Sequence, residues 1–166
     1  IDQEGLRKKD LQFLIYPSDE EIIDVGLRGI FLSNYFKYDG SHNAEVAKSI
    51  YGWIEAQHDF DRTYRKISNI DDMHENGVHD YMKYIKLGYG RATDHSNYDI
   101  RSGKMTREQG IEMVRKYDHV KPSDIKRWSE YTGMSEDEFD RIADSFRDSR
   151  VWSQEKGVWK KHNIWD

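Results

Sequence analysis

The sequence predicts a mostly α fold, one helical domain with one or two strands. Three observations predict it. Apolar residues recur at helical spacing through much of the chain, and three segments open on Ser/Thr-x-x-Glu/Gln capping boxes. Aromatics make up 13% of the chain and there are only two prolines, which sets it apart from the aromatic-poor composition of disordered segments despite 34% charged residues. Only one stretch, 27–39, has the apolar, aromatic-rich look of a strand buried on both faces.

Residues 1–16 open polar and end in the apolar run 11–16, which Pro17 breaks. Ser18 and Glu21 form the first capping box, for a short helix stopped near Gly26. The strand follows at about 27–38, bounded by Gly29 and Gly40. A lone buried strand has no sheet to join, so its partners are expected upstream of Ile1, and the chain is read as the later part of a longer protein. The predicted domains are 1–40, the end of an α/β unit, and 41–166, a helical unit with a Trp-rich tail.

Val46, Ile50, Trp53 and Ile54 predict a helix over 43–57. A polar connector, 58–70, precedes a helix at 71–87, with Met73, Val78, Tyr81, Met82 and Ile85 on one face. Asp72, Asn76, His79, Lys83 and Lys86 form the opposite row. Gly88-Tyr89-Gly90 ends it, and Thr93 is positioned to cap a short helix running to Arg101. Thr106 and Gln109 box a helix to about Tyr117. Ser123 opens another that Gly133 closes, and Ser135 with Glu138 boxes a last one to about Arg147. Trp152, Trp159 and Trp165, with a turn near Gly157, predict an irregular strand or hairpin.

Composition excludes several functions. The 26 basic and 31 acidic residues give a formal net charge of −5, a poor basis for binding nucleic-acid phosphates. The helix pair after Ser123 has a helix-turn-helix outline, but its second helix opens Glu136-Asp137-Glu138, which would face phosphate badly; an ordinary helical hairpin is the simpler reading. There is no cysteine, and so no disulfide, thiolate metal site or cysteine nucleophile in this sequence; this fits a reducing, cytoplasmic setting. His74 and His79 are not i, i+4, so no metal site is expected. No apolar run approaches the roughly 20 residues needed to insert across a bilayer.

The densest set of chemically capable side chains lies at 83–95. Gly88 and Gly90 allow close backbone approach around Tyr89. Arg91 is suited to a bidentate grip on phosphate or carboxylate, Lys83 and Lys86 face the same space, and the helix after Thr93 contributes N–H groups and positive dipole. These make an anion site; the plain alternative is a helix–loop–helix with solvated cations. His95 beside Asp94 suits acid–base work, or Asp94 caps the helix while His95 packs.

The sequence resembles the N-acetyl sugar amidotransferase family of bacterial lipopolysaccharide and surface-sugar biosynthesis. The likeness is carried by 11–21 (LQFLIYPSDEE); by 27–39 with Gly29, Asn34-Tyr35-Phe36 and Asp39; by His79-Asp80-Tyr81, Lys83 and Lys86; by Gly88-Tyr89-Gly90-Arg91-Ala92-Thr93-Asp94-His95, its most specific part; and by Met105-Thr106-Arg107-Glu108. It covers nearly the whole chain and is weakest in the tail. It implies a PP-loop ATP pyrophosphatase, using ATP and Mg2+, that converts a sugar N-acetyl group to an acetamidino group. The ammonia would come from a glutaminase subunit through a cyclase-like channelling subunit, and the sugar would be carried on a nucleotide. Homo-oligomerisation is a further possibility.

The family's Ser-Gly-Gly ATP loop and its early cysteines have no counterpart here. The chain therefore resembles the C-terminal portion, with 27–38 as the last strand of a Rossmann-like sheet and no ATP bound by this portion alone. The resemblance implies Lys83, Lys86, Tyr89, Gly90, Arg91 and Thr93 at the substrate and Asp94 and His95 near the chemistry. The rival expectation is a non-catalytic helical module that docks partner subunits.

Overall fold

The structure, a computed structural model, describes residues 5, 7–68 and 76–163. The chain divides into two compact units, Ile1–Val46 and Ala47–Asp166.

In the first unit a 3-10 segment spans Lys8–Leu14 and helix α1 spans Asp19–Val25. The predicted capping box is present: Ser18 Oγ accepts from the Glu21 N–H at 3.3 Å, and the Glu21 carboxylate accepts from the Ser18 N–H at 2.8 Å. The strand expected at 27–38 is absent. This stretch is irregular around a 3-10 turn at Leu32–Asn34. A strand is held by an edge that takes its N–H and C=O groups, and this unit has no sheet among the described residues. No described residue of the unit is buried; Phe31 is 79% exposed and Val25 81%.

Helix α2 spans Gly40–Tyr51 rather than 43–57. Asp39 Oδ1 accepts from the N–H groups of Ser41 and His42, which sets the earlier start. Gly52, at φ +67°, stops the helix before Trp53 and Ile54.

The second unit is built around α3 (Asn76–Leu87); the expected first turn, 71–75, lies outside the described residues. Val78 and Ile85 of α3 pack with Ile125 of α6 (Asp124–Thr132) and with Phe139 and Ala143 of α7 (Glu136–Asp144). Tyr81, Met82, Trp128 and Met134 close the cluster. This is the apolar face the 3.6-residue spacing predicts. Helix α7 ends at Asp144, short of Arg147, and Ser135 caps it by accepting from the Glu138 N–H at 3.2 Å.

Helices α4 (Arg91–Arg101) and α5 (Arg107–Tyr117) pack on each other. At the contact, a methyl on Gly110 would lie 2.8 Å from Ile100 Cδ1. Thr106 and Gln109 box the start of α5 as predicted. The tail is a hairpin, β1 (Trp152–Glu155) antiparallel to β2 (Val158–Lys161), with Trp152 opposite Lys161. Its two turn residues, Lys156 and Gly157, both have positive φ, 50° and 81°, as a type I′ turn requires.

The buried Trp152 indole donates to the Ile85 carbonyl at 2.8 Å, satisfying one of the C-terminal carbonyls a helix leaves unpaired. The Arg147 guanidinium lies 4.3 Å from the Trp152 ring centre and 5.2 Å from that of Trp159, so two of the three tail tryptophans are anchors. Trp165 lies outside the described residues.

Candidate functional site

The 88–95 run is held from below by Asp118, a residue the local sequence does not single out. Asp118 follows α5 and is 3% exposed. Its carboxylate accepts from the Gly90 N–H at 2.8 Å, the Thr93 N–H at 3.2 Å and the Thr93 hydroxyl. Gly90, not Thr93, is therefore the N-cap of α4. The positive end of this helix is neutralised by a carboxylate 28 residues away in sequence. The Gly90 and Thr93 N–H groups and the Thr93 hydroxyl are thus engaged inside the protein.

The glycines have the same internal meaning. Gly88, at φ +76°, brings the chain against the tail, where a methyl would lie 2.4 Å from Val151 Cγ1. A methyl on Gly90 would lie 2.8 Å from Asp118 Oδ1 and 3.0 Å from Arg62 Nη2. Arg62, also buried, donates to the carbonyls of Asp118 and Val120 and lies between the Tyr81 and Tyr84 rings.

Above this base, Arg91 reaches back to α3. Its Nε and Nη2 donate to Asp80 Oδ1 at 2.9 and 2.6 Å, and Asp80 is buried. The hydrogen bond to Asp80 and its charge hold the guanidinium pKa above its usual value. Lys83 pairs with Asp94, which also lies 3.7 Å from Arg91 Nη1. The Lys83 ammonium sits 4.6 Å from the centre of the Tyr89 ring. Arg91, Asp80, Asp94, Lys83 and Tyr89 thus form one charge-paired chain between α3 and α4. Lys86 does not join it; exposed, it lies over Phe146.

His95 lies one turn along α4 from Arg91. Its Nδ1 shares a hydrogen bond with the Thr63 hydroxyl at 2.6 Å, and its ring meets Tyr64 edge-on at 6.2 Å. Burial, then the positive charges of Arg65 and Arg91, push its pKa down to about 4. The imidazole is uncharged at neutral pH. His95, Arg91, Asp80, Thr63, Phe60 and Asn76 surround a cavity of about 20 Å3, room for about one water. Behind it, Asp99 accepts from Tyr64 Oη at 2.5 Å and Arg65 Nη2 at 2.6 Å, and burial with this bond raises Tyr64 to about 12.

Matching against protein-family models finds the LPS biosynthesis protein WbpG-like C-terminal domain over residues 34–164. The chain belongs to this family. Comparison with individual curated proteins finds no match.

In this WbpG-like domain the structure brings Tyr89, Gly90, Arg91, Thr93, Asp94 and His95 together with Lys83. It adds Thr63, Asp118 and Arg62, which the sequence does not single out, and Asp80, which the resemblance includes without a role. Asp80 had a signal: it stands four residues after Asn76, on a row leading to Arg91's side of α3. Asp118 and Thr63 had none, because their partners are 25 to 32 residues away. Arg91 is locked on Asp80, and the neutral His95 stands at the cavity wall. Among the described residues no three His, Asp or Glu are placed to hold a metal ion, and no helix is long and apolar enough to cross a membrane.

Proposed function

We propose that this chain is the C-terminal part of an ATP-dependent amidotransferase that converts a sugar N-acetyl group to an acetamidino group during lipopolysaccharide or surface-glycan assembly. A nucleotide-linked sugar is the substrate, and a glutaminase subunit working with a cyclase-like channelling subunit supplies the ammonia. The observation that carries the reading is a neutral imidazole and a carboxylate-locked arginine on one small cavity, both from the 88–95 run, in a member of a lipopolysaccharide-biosynthesis family.

Ammonia adding to the activated acetyl carbon forms a C–N bond, the bond from that carbon to its activated oxygen breaks as the oxygen leaves with its activating group, and the incoming nitrogen must shed a proton. His95, uncharged at neutral pH, accepts it. Asp94, tied to Lys83 and Arg91, keeps the Arg91 fork in place. The described residues do not fit a triphosphate: Arg91 and Lys83 are neutralised by Asp80 and Asp94, and Asp118 occupies the α4 N-terminus. ATP and Mg2+ therefore enter the proposal only through the preceding portion of the protein, and no step is assigned to them here.

The test is formation of the acetamidino sugar from a nucleotide-linked N-acetyl sugar, ATP, Mg2+ and an ammonium salt by the full-length protein. His95→Gln and Arg91→Lys are expected to lower turnover by at least about 100-fold, the scale of a lost acid–base or orienting group. Both are expected to keep melting temperatures close to that of wild type. Arg91→Ala is the wrong variant for this purpose, because it leaves the buried Asp80 charge unpaired, at a cost of about 3–5 kcal/mol. Wild-type turnover in both conservative variants sinks the assignment.

One observation favours a second reading, a docking module. The described residues of Ile1–Val46 include no buried side chain and expose Phe13, Tyr16, Ile30, Phe31 and Phe36. Capture of the glutaminase or cyclase-like subunit by this chain, with no amidination by the full-length protein, would decide for it.

A further inference from the structure

The 59–68 loop lines the small cavity with Phe60, Thr63, Ile67 and Ser68, and it presents Thr63 between anchored neighbours. Arg62, just before it, is buried and donates to the carbonyls of Asp118 and Val120. Tyr64 and Arg65, just after it, both donate to Asp99 of α4, at 2.5 and 2.6 Å. The Thr63 N–H donates to the Phe60 carbonyl at 3.1 Å. Thr63 itself is 2% exposed, and among the described residues the partner of its hydroxyl is His95 Nδ1, at 2.6 Å. The loop is pinned on both sides of one residue, and that residue delivers one hydroxyl to one ring nitrogen.

A neutral imidazole carries one N–H and one lone pair, and the partner of Nδ1 decides which nitrogen has which. Two observations make Thr63 the donor. A buried hydroxyl proton left without an acceptor is costly, and Nδ1 is the acceptor in reach. The 2.6 Å separation is also shorter than the roughly 2.7–3.2 Å usual when nitrogen donates to oxygen, and inside the range of about 2.5–3.0 Å spanned by hydroxyl donors. Nδ1 therefore holds the lone pair and Nε2 the proton. Burial, then Arg65 on the loop and Arg91 on α4, oppose a second proton more strongly than Asp80 of α3 and Asp94 of α4 favour it. Tyr64, the other titratable group against the ring, is uncharged at neutral pH, with its pKa at about 12.

We infer that Thr63 is the residue that sets the chemical form of His95: its hydroxyl donates to Nδ1, fixes the ring as the Nε2–H tautomer, and is the group through which a proton reaches Nδ1. The last part rests on the amidotransferase reading. There the N–H bond of the incoming nitrogen breaks, its electron pair stays on nitrogen, and its proton bonds to Thr63 Oγ1 as the Oγ1 proton passes to Nδ1. Thr63 is again a hydroxyl and His95 an imidazolium. The cavity that Thr63 and His95 share, about 20 Å3, has the size of one water-sized molecule, which is the size of ammonia.

The experiment is long-range 1H–15N correlation NMR of the full-length protein carrying 15N-labelled histidine, with the His95 ring assigned by its loss in His95→Gln. Wild type and Thr63→Ser should show a pyridine-type Nδ1 and a pyrrole-type Nε2. Thr63→Val, which keeps the shape and removes the hydroxyl, should show both nitrogens averaged between tautomers. It should also raise the His95 pKa, because the lost bond favoured the neutral ring. A Thr63 that accepted from Nδ1–H would favour the protonated ring more, and its loss would lower that pKa. Amidination should fall at least about 10-fold in Thr63→Val and be largely kept in Thr63→Ser. The wild-type spectrum decides the donor by itself, whatever the stability of Thr63→Val. The inference is overturned by a pyrrole-type Nδ1 in wild type, or by a folded Thr63→Val whose ring signals and titration match wild type. The expected tautomer in a protein that makes no acetamidino sugar refutes the amidotransferase reading and supports the tautomer assignment. Amidination with the opposite tautomer does the reverse.

Discussion

Helices α4 and α5 are neighbours of equal length, 11 residues each, and they begin in opposite ways. The N-terminus of α5 is closed from within its own first turn, by Thr106 and Gln109. That of α4 is closed by Asp118, from beyond the far end of α5. The division runs through the molecule. α1, α5 and α7 carry their caps in sequence. The Gly77 N–H at the start of α3 is instead bound by Asp124 at 2.7 Å, and the N–H of Ser123, ahead of α6, by Asp61. The candidate chemical residues sit on helices of the second kind, on the 88–90 turn that joins two of them, or on the 59–68 loop. A local cap makes a helix whatever the rest of the chain does. A distant one makes it conditional on the tertiary fold, so the geometry of 88–95 is fixed only when α5, the 59–68 loop and α3 are assembled.

The comparison predicts unequal costs for equivalent cap deletions. Asp118→Ala leaves two buried backbone donors and a threonine hydroxyl unpaired, and should lower stability by about 3–5 kcal/mol. The effect should reach α3 and α4 together in hydrogen exchange. A loss below about 1 kcal/mol in urea unfolding would erase the distinction.

Next in size is a pH effect confined to the conditional region. The folded pKa of His95, about 4, lies below its ordinary 6.5. The unfolded chain therefore takes up the proton first as pH falls. The His95 contribution is fully present above about pH 6.5 and is lost on descending toward pH 4. The expected loss is on the order of 2 kcal/mol after allowing for partial solvent access. His95→Gln should flatten the slope of stability between pH 6.5 and 4; an unchanged slope contradicts the burial argument.

Gly90→Ala presses a methyl against Asp118 Oδ1 and Arg62 Nη2 and should cost about 1–3 kcal/mol. Thr106→Ala, at the locally capped α5, should cost only about 1 kcal/mol and leave exchange in α4 unchanged. Thermal melts and hydrogen exchange of the two variants side by side check both.

What could be read from the sequence follows the same division. The boxes at Ser18 and Thr106, the Ser135 cap, the α3 core face and the hairpin turn at Gly157 are local patterns, and the structure contains them. The strand expected at 27–38 rests on aromatic and β-branched content, apolar continuity and bounding glycines, and strand formation depends on a partner edge that no single segment encodes. Lys83, Arg91 and His95 were visible as chemical types near one turn. Their states were not, because Asp80 and Asp94 pair Arg91 and Lys83 across 11 residues, and His95 is set by burial and by the charge of Arg65, on another segment. Charge that looked available for a phosphate is committed to internal carboxylates.

The proposed role of 88–95, held in place for chemistry at His95, stands or falls on activity. It is tested most directly by transfer of 15N from labelled ammonium into a nucleotide-linked N-acetyl sugar by the full-length protein, wild type against His95→Gln, with the melting temperature of each recorded. The expected result is ATP-dependent 15N incorporation by wild type and a loss of at least about 100-fold in the variant at nearly unchanged melting temperature. Equal incorporation by the two proteins would contradict it.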